Sequence, residues 1–364
     1  MRRAWPWSLG LLLALLLGGC GQMSYLSQSV SGHLQLMAAA KPVEAWLAEP
    51  GLQPGLRERL MLSQRLRDFA TAELKLPDNR SYRSYADLQR GAAVWNVVAA
   101  PAFSLQLRTW CYPVMGCAGY RGYFSRTEAE AYAYDLRDQE QLEVIVAAVP
   151  AYSTLGWSNF LGGDPLLNTF IAYPEGELAR MIFHELAHQV AYAADDTMFN
   201  ESFATAVERL GVEAWLQAHG SPAAIAEYRR GNARREQFRA LTKDYRQRLE
   251  ALYAGAQDLA AKREAKATLM QSLREDYGRL KTEQWGGDSA YDGWFARANN
   301  ASFALLSAYS ELSPAFEALF ERLGRDWPRF YAEVQRLAAL PKPQRRELLM
   351  HNKETDDGRY SHSP

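Results

Sequence analysis

The sequence has few cysteines, few histidines and no excess of charge of either sign. Only 3 Cys and 6 His occur among its 364 residues, and so few thiols without neighbouring histidines offer too few ligands for a cysteine-based metal site. The formal net charge is −1 at pH 7 and no basic block is present, which argues against nucleic-acid binding. Hydrophobic residues make up 48% of the chain, an ordinary fraction for a globular protein. The length allows a large core and one or two domains.

The amino terminus is typical of a lipoprotein signal. Arginines precede an apolar run from Leu9 to Leu17, which is too short to span a bilayer permanently. Two glycines stand immediately before Cys20, an arrangement that favours cleavage and lipidation there over an ordinary signal peptide or a short membrane anchor. We therefore expect residues 1–19 to be removed and the mature chain to be anchored to a membrane through Cys20. In a Gram-negative cell, the absence of Asp at position 21 favours the outer membrane, facing the periplasm.

The most informative motif is a short histidine pattern in the middle of the chain. It reads His184-Glu185-Leu186-Ala187-His188, and Asn200-Glu201 follows it. On an α-helix, residues four positions apart lie one above the other, so His184 and His188 can reach the same metal ion. Chance composition would give this pentapeptide in under roughly one sequence in a hundred of this length. The alternative interpretation is two core histidines on an apolar helix.

Glu201 is the expected third ligand of that metal. A catalytic zinc site takes three protein ligands and leaves the fourth position to water, and no third histidine stands at a suitable spacing. Two helices, over about 174–193 and 200–216, are predicted with a turn between them. Helical rise then returns Glu201 to the depth of His188, roughly 5 to 8 Å from the turn. Glu208 would project away from the metal.

The residue types of the motif fit the chemistry of peptide-bond hydrolysis. Zn²⁺ is the usual ion for two imidazoles and a carboxylate, with Mn²⁺ or Co²⁺ as alternatives, and one Zn²⁺ per chain is expected. Water on such an ion becomes acidic, and Glu185 is placed to accept its proton and later to return it to the leaving amine. The motif therefore predicts a zinc metallopeptidase that acts on a peptide substrate with Glu185 as general base.

Tyrosines and acidic residues are candidates for further roles at the site. Zinc peptidases usually add a Tyr or His donor to the developing oxyanion. Tyr152 is predicted for this catalytic role, with Tyr192 as the alternative and simple packing as a third interpretation for either. Asp195 and Glu208 are candidates to bind the outer ring nitrogens of the metal-binding histidines. For Asp195, capping at the surface is the competing interpretation.

The sequence around the motif resembles a known family. Residues 182–211 read IFHELAHQVAYAADDTMFNESFATAVERLG, which is similar to the signature of a family of predicted bacterial aminopeptidases. These are lipoproteins grouped with the gluzincins, the zinc peptidases that use Glu as third ligand. Four other segments resemble the same family, over residues 112–124, 149–157, 164–170 and 174–180. The resemblance implies zinc held by His184, His188 and Glu201, with Glu185 as base, and aminopeptidase activity.

Cys111 and Cys117 are the thiols that remain once Cys20 is lipidated. An oxidising cell envelope allows them to pair. Pro113 and Gly116 lie between them and indicate a hairpin turn. We expect a disulfide that clamps this hairpin rather than a metal site.

The predicted fold class is α+β. It is mainly helical, with a zinc-metallopeptidase core, a small antiparallel sheet and a helical carboxy-terminal region that contains a long α-hairpin. The predicted segments are a signal peptide over 1–19, a helical region over 20–90, the zinc-peptidase core over 91–221, the helical region over 222–352 and a disordered tail over 353–364.

Periodicity places the elements inside these segments. Leu26, Val30, His33, Leu34 and Met37 lie on one face of a first helix, and a second helix runs from 56 to 74. Strands are predicted over 94–99, 103–112, 119–124 and 142–149, with a helix over 126–138 between the last two. The α-hairpin over 222–284 is predicted to break near Gly255.

One strand is a candidate substrate-binding element. Many peptidases hold the substrate as an extra strand against an exposed sheet edge, and residues 144–152 are the predicted edge. Trp157 and Phe160 follow it and are equally consistent with a side-chain pocket and with packing of the loop onto the sheet.

Three functions are compatible with these features. The leading one is a lipid-anchored zinc metallopeptidase of the cell envelope, for which the resemblance implies aminopeptidase activity. A zinc endopeptidase of envelope quality control is the nearest alternative. A catalytically idle scaffold, whose helical arm binds an envelope partner, belongs to a different class. Glu185 argues against the scaffold, because a structural metal site does not require that base.

Overall fold

The computed structural model describes residues 24–112, 116–153, 162–307 and 312–350. Within these ranges the protein is α+β and mainly helical, which confirms the predicted fold class. The helices are α1 over residues 24–39, α2 (Val43–Leu47), α3 (Pro54–Ala72), α4 (Arg126–Asp138), α5 (Glu175–Ala187), α6 (Thr197–His219), α7 (Pro222–Ala254), α8 (Leu259–Gln284), α9 (Asp292–Arg297), α10 (Asn300–Ser307), α11 (Ser313–Arg322), α12 (Trp327–Ala338) and α13 over residues 342–350. The strands are β1 (Lys41–Pro42), β2 (Ser84–Ala86), β3 (Val94–Ala100), β4 (Trp110–Tyr112), β5 (Gly116–Ala118), β6 (Arg121–Tyr123), β7 (Glu143–Val149) and β8 (Leu166–Leu167).

The described strands form three small sheets. The principal sheet has the order β6-β3-β7 and is antiparallel, with Val97 opposite Val146 on one side and Arg121 on the other. Alternate residues of β3 point to opposite faces, and both faces are covered. Val97 and Ala99 pack in one cluster with α4, and Val98 and Ala100 pack in another with α10. Coverage on both faces explains why β3 is almost entirely apolar.

Most predicted elements of this region are present, but the strand predicted over 103–112 is wrong for most of its length. Only Trp110–Tyr112 is a strand, and it pairs with β5. The alternating apolar side chains that precede it contact helices instead of entering a sheet. Phe103 packs edge-on against Tyr253 of α7 at 5.9 Å, and Leu105 joins the core of the α-hairpin. Alternation therefore indicates only that one side of the segment is contacted, and helices can supply that contact as well as a sheet.

The principal core is built around α5 and α6. Leu178, Ile182, Phe183 and Leu186 recur at helical spacing on α5 and are fully buried. Helices α3, α11 and α12 contribute further side chains to this core. Gly211 of α6 admits the ring of Phe183, since a Cβ atom there would lie 3.0 Å from it. The two helices are therefore held in close, fixed contact.

The connection between α5 and α6 differs from the prediction. Helix α5 ends at Ala187 with His188 as its carboxy-terminal cap, earlier than the predicted residue 193, and α6 begins at Thr197 rather than at 200. The reason is the side chain of Asn200, which accepts from the backbone N–H of Ala193 at 2.7 Å and donates to its carbonyl at 2.8 Å. These bonds hold the backbone at Ala193 in a turn instead of a helix.

Asp196 joins this turn to the carboxy-terminal helix α13. Its side chain is fully buried, caps α6 by accepting from the N–H of Phe199, and binds Arg345 at 3.2 Å and Arg346 at 2.6 Å. Burial alone would raise the pKa of Asp196, but the bonds to Arg346 and the Phe199 amide outweigh it and lower the pKa. Arg345 also donates to backbone carbonyls at the end of α12. We call Asp196, Arg345 and Arg346 the terminal clamp.

Arg345→Ala is expected to destabilise the protein by about 3–5 kcal/mol, because it leaves part of a buried charge cluster uncompensated. Urea unfolding measures the loss. Arg248→Ala removes an exposed ion pair with Asp244 and should cost no more than about 1 kcal/mol. Because folding lowers the pKa of Asp196, its ion pairs contribute to the free energy of unfolding at any pH above the pKa of the unfolded state. That contribution declines as the pH falls through the pKa of the folded state. Equal stabilities of the two variants would show that the clamp contributes nothing.

The long helices α7 and α8 form the predicted α-hairpin, which breaks at Gly255. Phe238, Tyr245 and Leu249 of α7 are buried with residues of α8 and α9 in a second core. Glu177 of α5 binds Arg235 of α7 with two contacts of 2.8 Å and so ties the hairpin to the helix that carries the histidines.

Some sequence predictions fall on residues that the structure does not describe. These are the signal peptide with Cys20, the Trp157 and Phe160 loop, and the tail from 353. Among the helices that the structure does describe, none is both long enough and apolar enough to span a bilayer. The predicted disulfide between Cys111 and Cys117 is present and bridges β4 and β5.

Candidate metal centre

The structure brings together the three residues predicted to bind a metal. His184 lies in the last turn of α5, His188 caps that helix, and Glu201 lies in the first turns of α6. The Nε2 atoms of the two histidines are 3.2 Å apart. Glu201 places one carboxylate oxygen 3.4 Å from His184 Nε2 and the other 3.7 Å from His188 Nε2. One ligand atom from each residue lies within 4.8 Å of the others.

These spacings fit a tetrahedral ion. Bonds of about 2.0–2.1 Å in tetrahedral geometry separate neighbouring ligand atoms by about 3.3–3.4 Å, close to the distances in the protein. Two imidazole nitrogens that face each other at 3.2 Å both present lone pairs unless a proton lies between them. A shared cation satisfies both nitrogens. The donor set of two nitrogens and a carboxylate suits Zn²⁺ and related divalent ions.

The carboxylates beside His184 favour positive charge at that ring, whereas the surroundings of His188 keep its ring neutral and able to bind a metal. Burial alone would lower the pKa of His184, but bonds to Glu201 and Glu208 outweigh it and raise the pKa well above its usual value. For His188, burial and the charge of His184 lower the pKa to about 4. Burial alone would raise the pKa of Glu201, but its histidine partners lower it. Glu201 is therefore ionised, and the site concentrates negative charge around the two ring nitrogens.

Glu208 approaches His184 from the side opposite the ligand cluster. Its Oε2 lies 2.8 Å from His184 Nδ1, and its Oε1 lies 2.6 Å from Arg180. The prediction that Glu208 projects away from the site is therefore wrong, whereas its alternative role as a partner of a histidine ring nitrogen agrees with the structure. Burial alone would raise the pKa of Glu208, but Arg180 and His184 lower it to about 2. An ionised Glu208 fixes the tautomer of His184 that presents Nε2 as a ligand.

Glu208→Gln is expected to weaken metal affinity by about 10- to 100-fold, the range that loss of such an outer partner costs. The Gln amide keeps the size of the side chain but can turn its NH₂ group toward His184, which opposes the required tautomer. Competition with a chromophoric chelator gives the affinity. An unchanged affinity would exclude Glu208 from holding the ligand. Glu213→Gln, on the exposed side of the same helix, is the matched control.

His188 and Asp195 lack the outer contacts that were considered for them. Among the described residues, His188 Nδ1 is buried and has no hydrogen-bond partner. Asp195 binds Arg345 at 3.1 Å, and its side chain is 60% exposed, so it lies in a surface ion pair instead of beside a histidine. Only His184 therefore carries a charged outer partner within the described part of the chain.

Glu185 is partly buried next to the ligand cluster, and other side chains contact it. Burial raises its pKa to about 7, with His184 lowering it and Glu201 raising it. The side chain of Ser153 hydrogen bonds Glu185, and the same hydroxyl contacts Asp164 Oδ2 at 3.1 Å. A carboxyl group whose pKa lies close to neutral can both accept and return a proton, which is what the predicted general base must do.

The candidate oxyanion donors are placed differently from one another. Tyr152 packs against Phe124 at 5.3 Å and His33 at 5.7 Å, and burial raises its pKa to about 12. Tyr192 is 50% exposed, and burial and the charge of Glu201 raise its pKa. For Tyr120, too, burial and then the charge of Glu201 raise the pKa, although the residue is 40% exposed. The role predicted for Tyr152 stays a prediction, and Tyr120 is a candidate that the sequence pattern did not indicate.

A comparison with protein families matches residues 24–349 to the family described as "Putative aminopeptidase". The chain belongs to this family. The match includes the whole ligand cluster, Glu185 and the helices that surround them. Searches of curated proteins and of solved structures found no match. Membership of an aminopeptidase family confirms the coarser part of the resemblance and assigns the centre to a protein of peptidase type.

Several residues of the centre were not found from the sequence. Arg180 stands four positions before His184, so helical spacing could have indicated that both lie on one face. Asn200 was noted only as the neighbour of Glu201, although it sets the turn that brings Glu201 to the histidines. Ser153 and Asp164 carry no local signal, because they meet Glu185 only through the fold.

Proposed function

We propose that this member of the aminopeptidase family is a zinc-dependent peptidase, held in the cell envelope by a lipid at Cys20, that removes residues from the amino termini of peptides. The observation that carries the enzymatic part is the cluster of His184, His188 and Glu201 with a partly buried carboxyl group, Glu185, beside it. The gluzincin assignment follows from Glu201 as third ligand. A purely structural metal site would gain nothing from Glu185, whose burial must be offset by other interactions.

The residues of the chain divide the reaction between them. A bound divalent ion would supply Lewis acidity toward the scissile carbonyl and lower the pKa of a water. Glu185 accepts the proton of the attacking water and returns it to the leaving amine. It therefore ends each cycle in the protonation state in which it began. Glu208 and Arg180 hold His184 in place during these steps. Ser153 hydrogen bonds Glu185 and also contacts Asp164, and these contacts position the carboxyl group of Glu185.

The sheet edge supplies a candidate site for the peptide backbone. Among the described strands, β7 pairs only with β3, so it is the edge strand of its sheet. This agrees with the predicted edge over 144–152 for residues up to 149. Pairing of the substrate with this edge would bind the backbone of many sequences, since main-chain hydrogen bonds do not depend on the side chains.

Cleavage mapping of a mixed peptide library tests the proposed activity. Half of the library carries acetylated amino termini, and the enzyme is the metal-loaded soluble chain from residue 21, with Glu185→Gln as the control. Loss of single amino-terminal residues from the free peptides alone is the expected result. Internal cuts in both halves would indicate an endopeptidase. The absence of any cleavage that depends on Glu185 would overturn the enzymatic proposal in favour of a scaffold.

Cys20→Ser is expected to shift the protein from the membrane fraction to the soluble fraction of the cell envelope, because it removes the thiol that would be lipidated. Fractionation followed by immunodetection measures the distribution. Cys111→Ser is the control for a cysteine that is not the anchor, and it should leave the protein with the membranes. If Cys20→Ser pellets as completely as the unchanged chain, the proposed anchor is wrong.

A further inference from the structure

Helix α1 is docked firmly on the rest of the protein along one side. Gln28 donates to the carbonyl of Gly122 and accepts from the N–H of Phe124, both at 3.2 Å. Gly32 lies directly on the ring of Phe124, where a Cβ atom would come within 2.2 Å. Leu36 is 1% exposed in the principal core. The orientation of α1 is therefore fixed, and so is the side that it turns outward.

The outward side of α1 carries an apolar stripe. Leu26 is 50% exposed, Val30 is 59% exposed and Leu34 is 55% exposed. The three residues follow each other at intervals of four, so they lie in one line along the helix. The sequence predicted these three residues on one face together with His33 and Met37. The structure turns the three away from the core, whereas His33 and Met37 are partly buried and Met37 packs against the principal core. We call Leu26, Val30 and Leu34 the α1 stripe.

No Asp, Glu, Lys or Arg stands between Arg3 and Lys41 in the sequence, so α1 carries none of them. The remainder of its exposed surface consists of serine, glutamine and alanine. Exposed helices elsewhere in the chain are highly charged, and α7 and α8 present ion pairs such as Arg248 with Asp244 and Arg279 with Asp276. An exposed, fixed apolar line on a helix that itself carries no charged residue is typical of a surface that something else covers.

The position of the anchor indicates what covers the α1 stripe. Only Gly21, Gln22 and Met23 separate Cys20 from the first described residue of α1. Four residue steps reach at most about 14 Å even when fully extended. The polar region on each side of a bilayer is about 5 to 8 Å thick. A lipid at Cys20 therefore keeps the start of α1 at or next to the membrane surface.

We propose that the α1 stripe lies in the interfacial region of the lipid bilayer and that α1, together with the lipid at Cys20, fixes the orientation of the protein on the membrane. The inference rests on the lipid anchor of the proposed function. Apolar side chains on one face of a helix enter the boundary between headgroups and acyl chains. One lipidated residue alone would let the protein rotate freely about its tether, whereas the docked stripe adds a second contact.

Depth-dependent quenching tests this placement. Single cysteines replace Val30, or Gln35 on the exposed surface about 140° around the same helix, and each carries an environment-sensitive fluorophore. Each variant is prepared in two anchored forms on vesicles that contain brominated phosphatidylcholine. One form is the full chain lipidated by the cell, and the other is the chain from residue 21 joined enzymatically to a phospholipid at its amino terminus.

The label at position 30 should be quenched several-fold more than the label at position 35 in both forms. Equal quenching in the chemically anchored form would overturn the proposal. A label at position 30 that is shielded from water and is not quenched by bromine, together with a dimer in sedimentation, would assign the stripe to a second copy of the chain and would also overturn the proposal. If the cell-made protein does not fractionate with membranes, the anchor at Cys20 fails, while the chemically anchored form still decides the question of α1.

Discussion

Glu185→Gln is expected to lower kcat by about 10²- to 10⁴-fold, the usual contribution of a general acid or base. Gln has the shape of Glu but cannot accept a proton at the pH of the reaction. The variant should retain its metal, because Glu185 is not among the three residues that surround the metal position. The measurement is the rate of peptide cleavage at saturating substrate, with metal content determined on the same preparations.

The matched control for Glu185→Gln is Glu213→Gln, which makes the same chemical change at an exposed position of α6. That variant should cleave at the rate of the unchanged protein. Thermal unfolding of both variants shows whether each remains folded. A Glu185→Gln protein that is folded, metal-loaded and as active as the control would exclude Glu185 as the base.

Glu201→Ala should weaken metal binding so strongly that the variant stays largely unloaded at Zn²⁺ concentrations that just saturate the unchanged protein. It removes a predicted ligand, so its effect on affinity should exceed the about 10- to 100-fold that loss of an outer partner costs. The variant retains His184 and His188 but lacks the carboxylate that balances the positive charge of the ion. Peptide cleavage should fall with the metal content. Equilibrium dialysis against Zn²⁺ measures the affinity directly.

Glu213 again supplies the control position, here as Glu213→Ala. This variant removes a carboxylate from the same helix at a position away from the cluster. Restoration of cleavage in Glu201→Ala by excess Zn²⁺ would agree with weakened binding of a catalytic ion. Full zinc affinity in Glu201→Ala would instead show that another residue supplies the third ligand.

The sequence predicted the parts of the centre that depend on local spacing. His184 and His188 are four positions apart on an amphipathic helix, and this spacing alone brings both rings to one side. Glu201 required one further step, the assumption of a short turn between two helices. That step succeeded although α5 ends six residues earlier than predicted, because Asn200 shapes the turn and α6 begins earlier to compensate.

Contacts between distant segments could not be predicted in the same way. Glu208 was predicted on the wrong side because the periodicity of α6 alone does not determine its orientation, which depends on how α6 packs across α5 and on the charge of Arg180. The strand predicted over 103–112 failed because apolar alternation does not say whether a sheet or two helices receive the side chains. For α1, periodicity found the Leu26 and Val30 line but could not say which side faces the core.

The terminal clamp has a consequence for the order of events during synthesis of the chain. Helices α5 and α6 are consecutive, so His184, His188 and Glu201 can meet as soon as about 220 residues have been made. Arg345 lies 149 residues beyond Asp196 and can reach it only when nearly the whole chain exists. The metal centre can thus assemble before the clamp that secures its turn. Truncation before α13 would leave a protein that has its metal ligands but lacks Arg345 and Arg346, whose contacts with Asp196 secure the turn between α5 and α6.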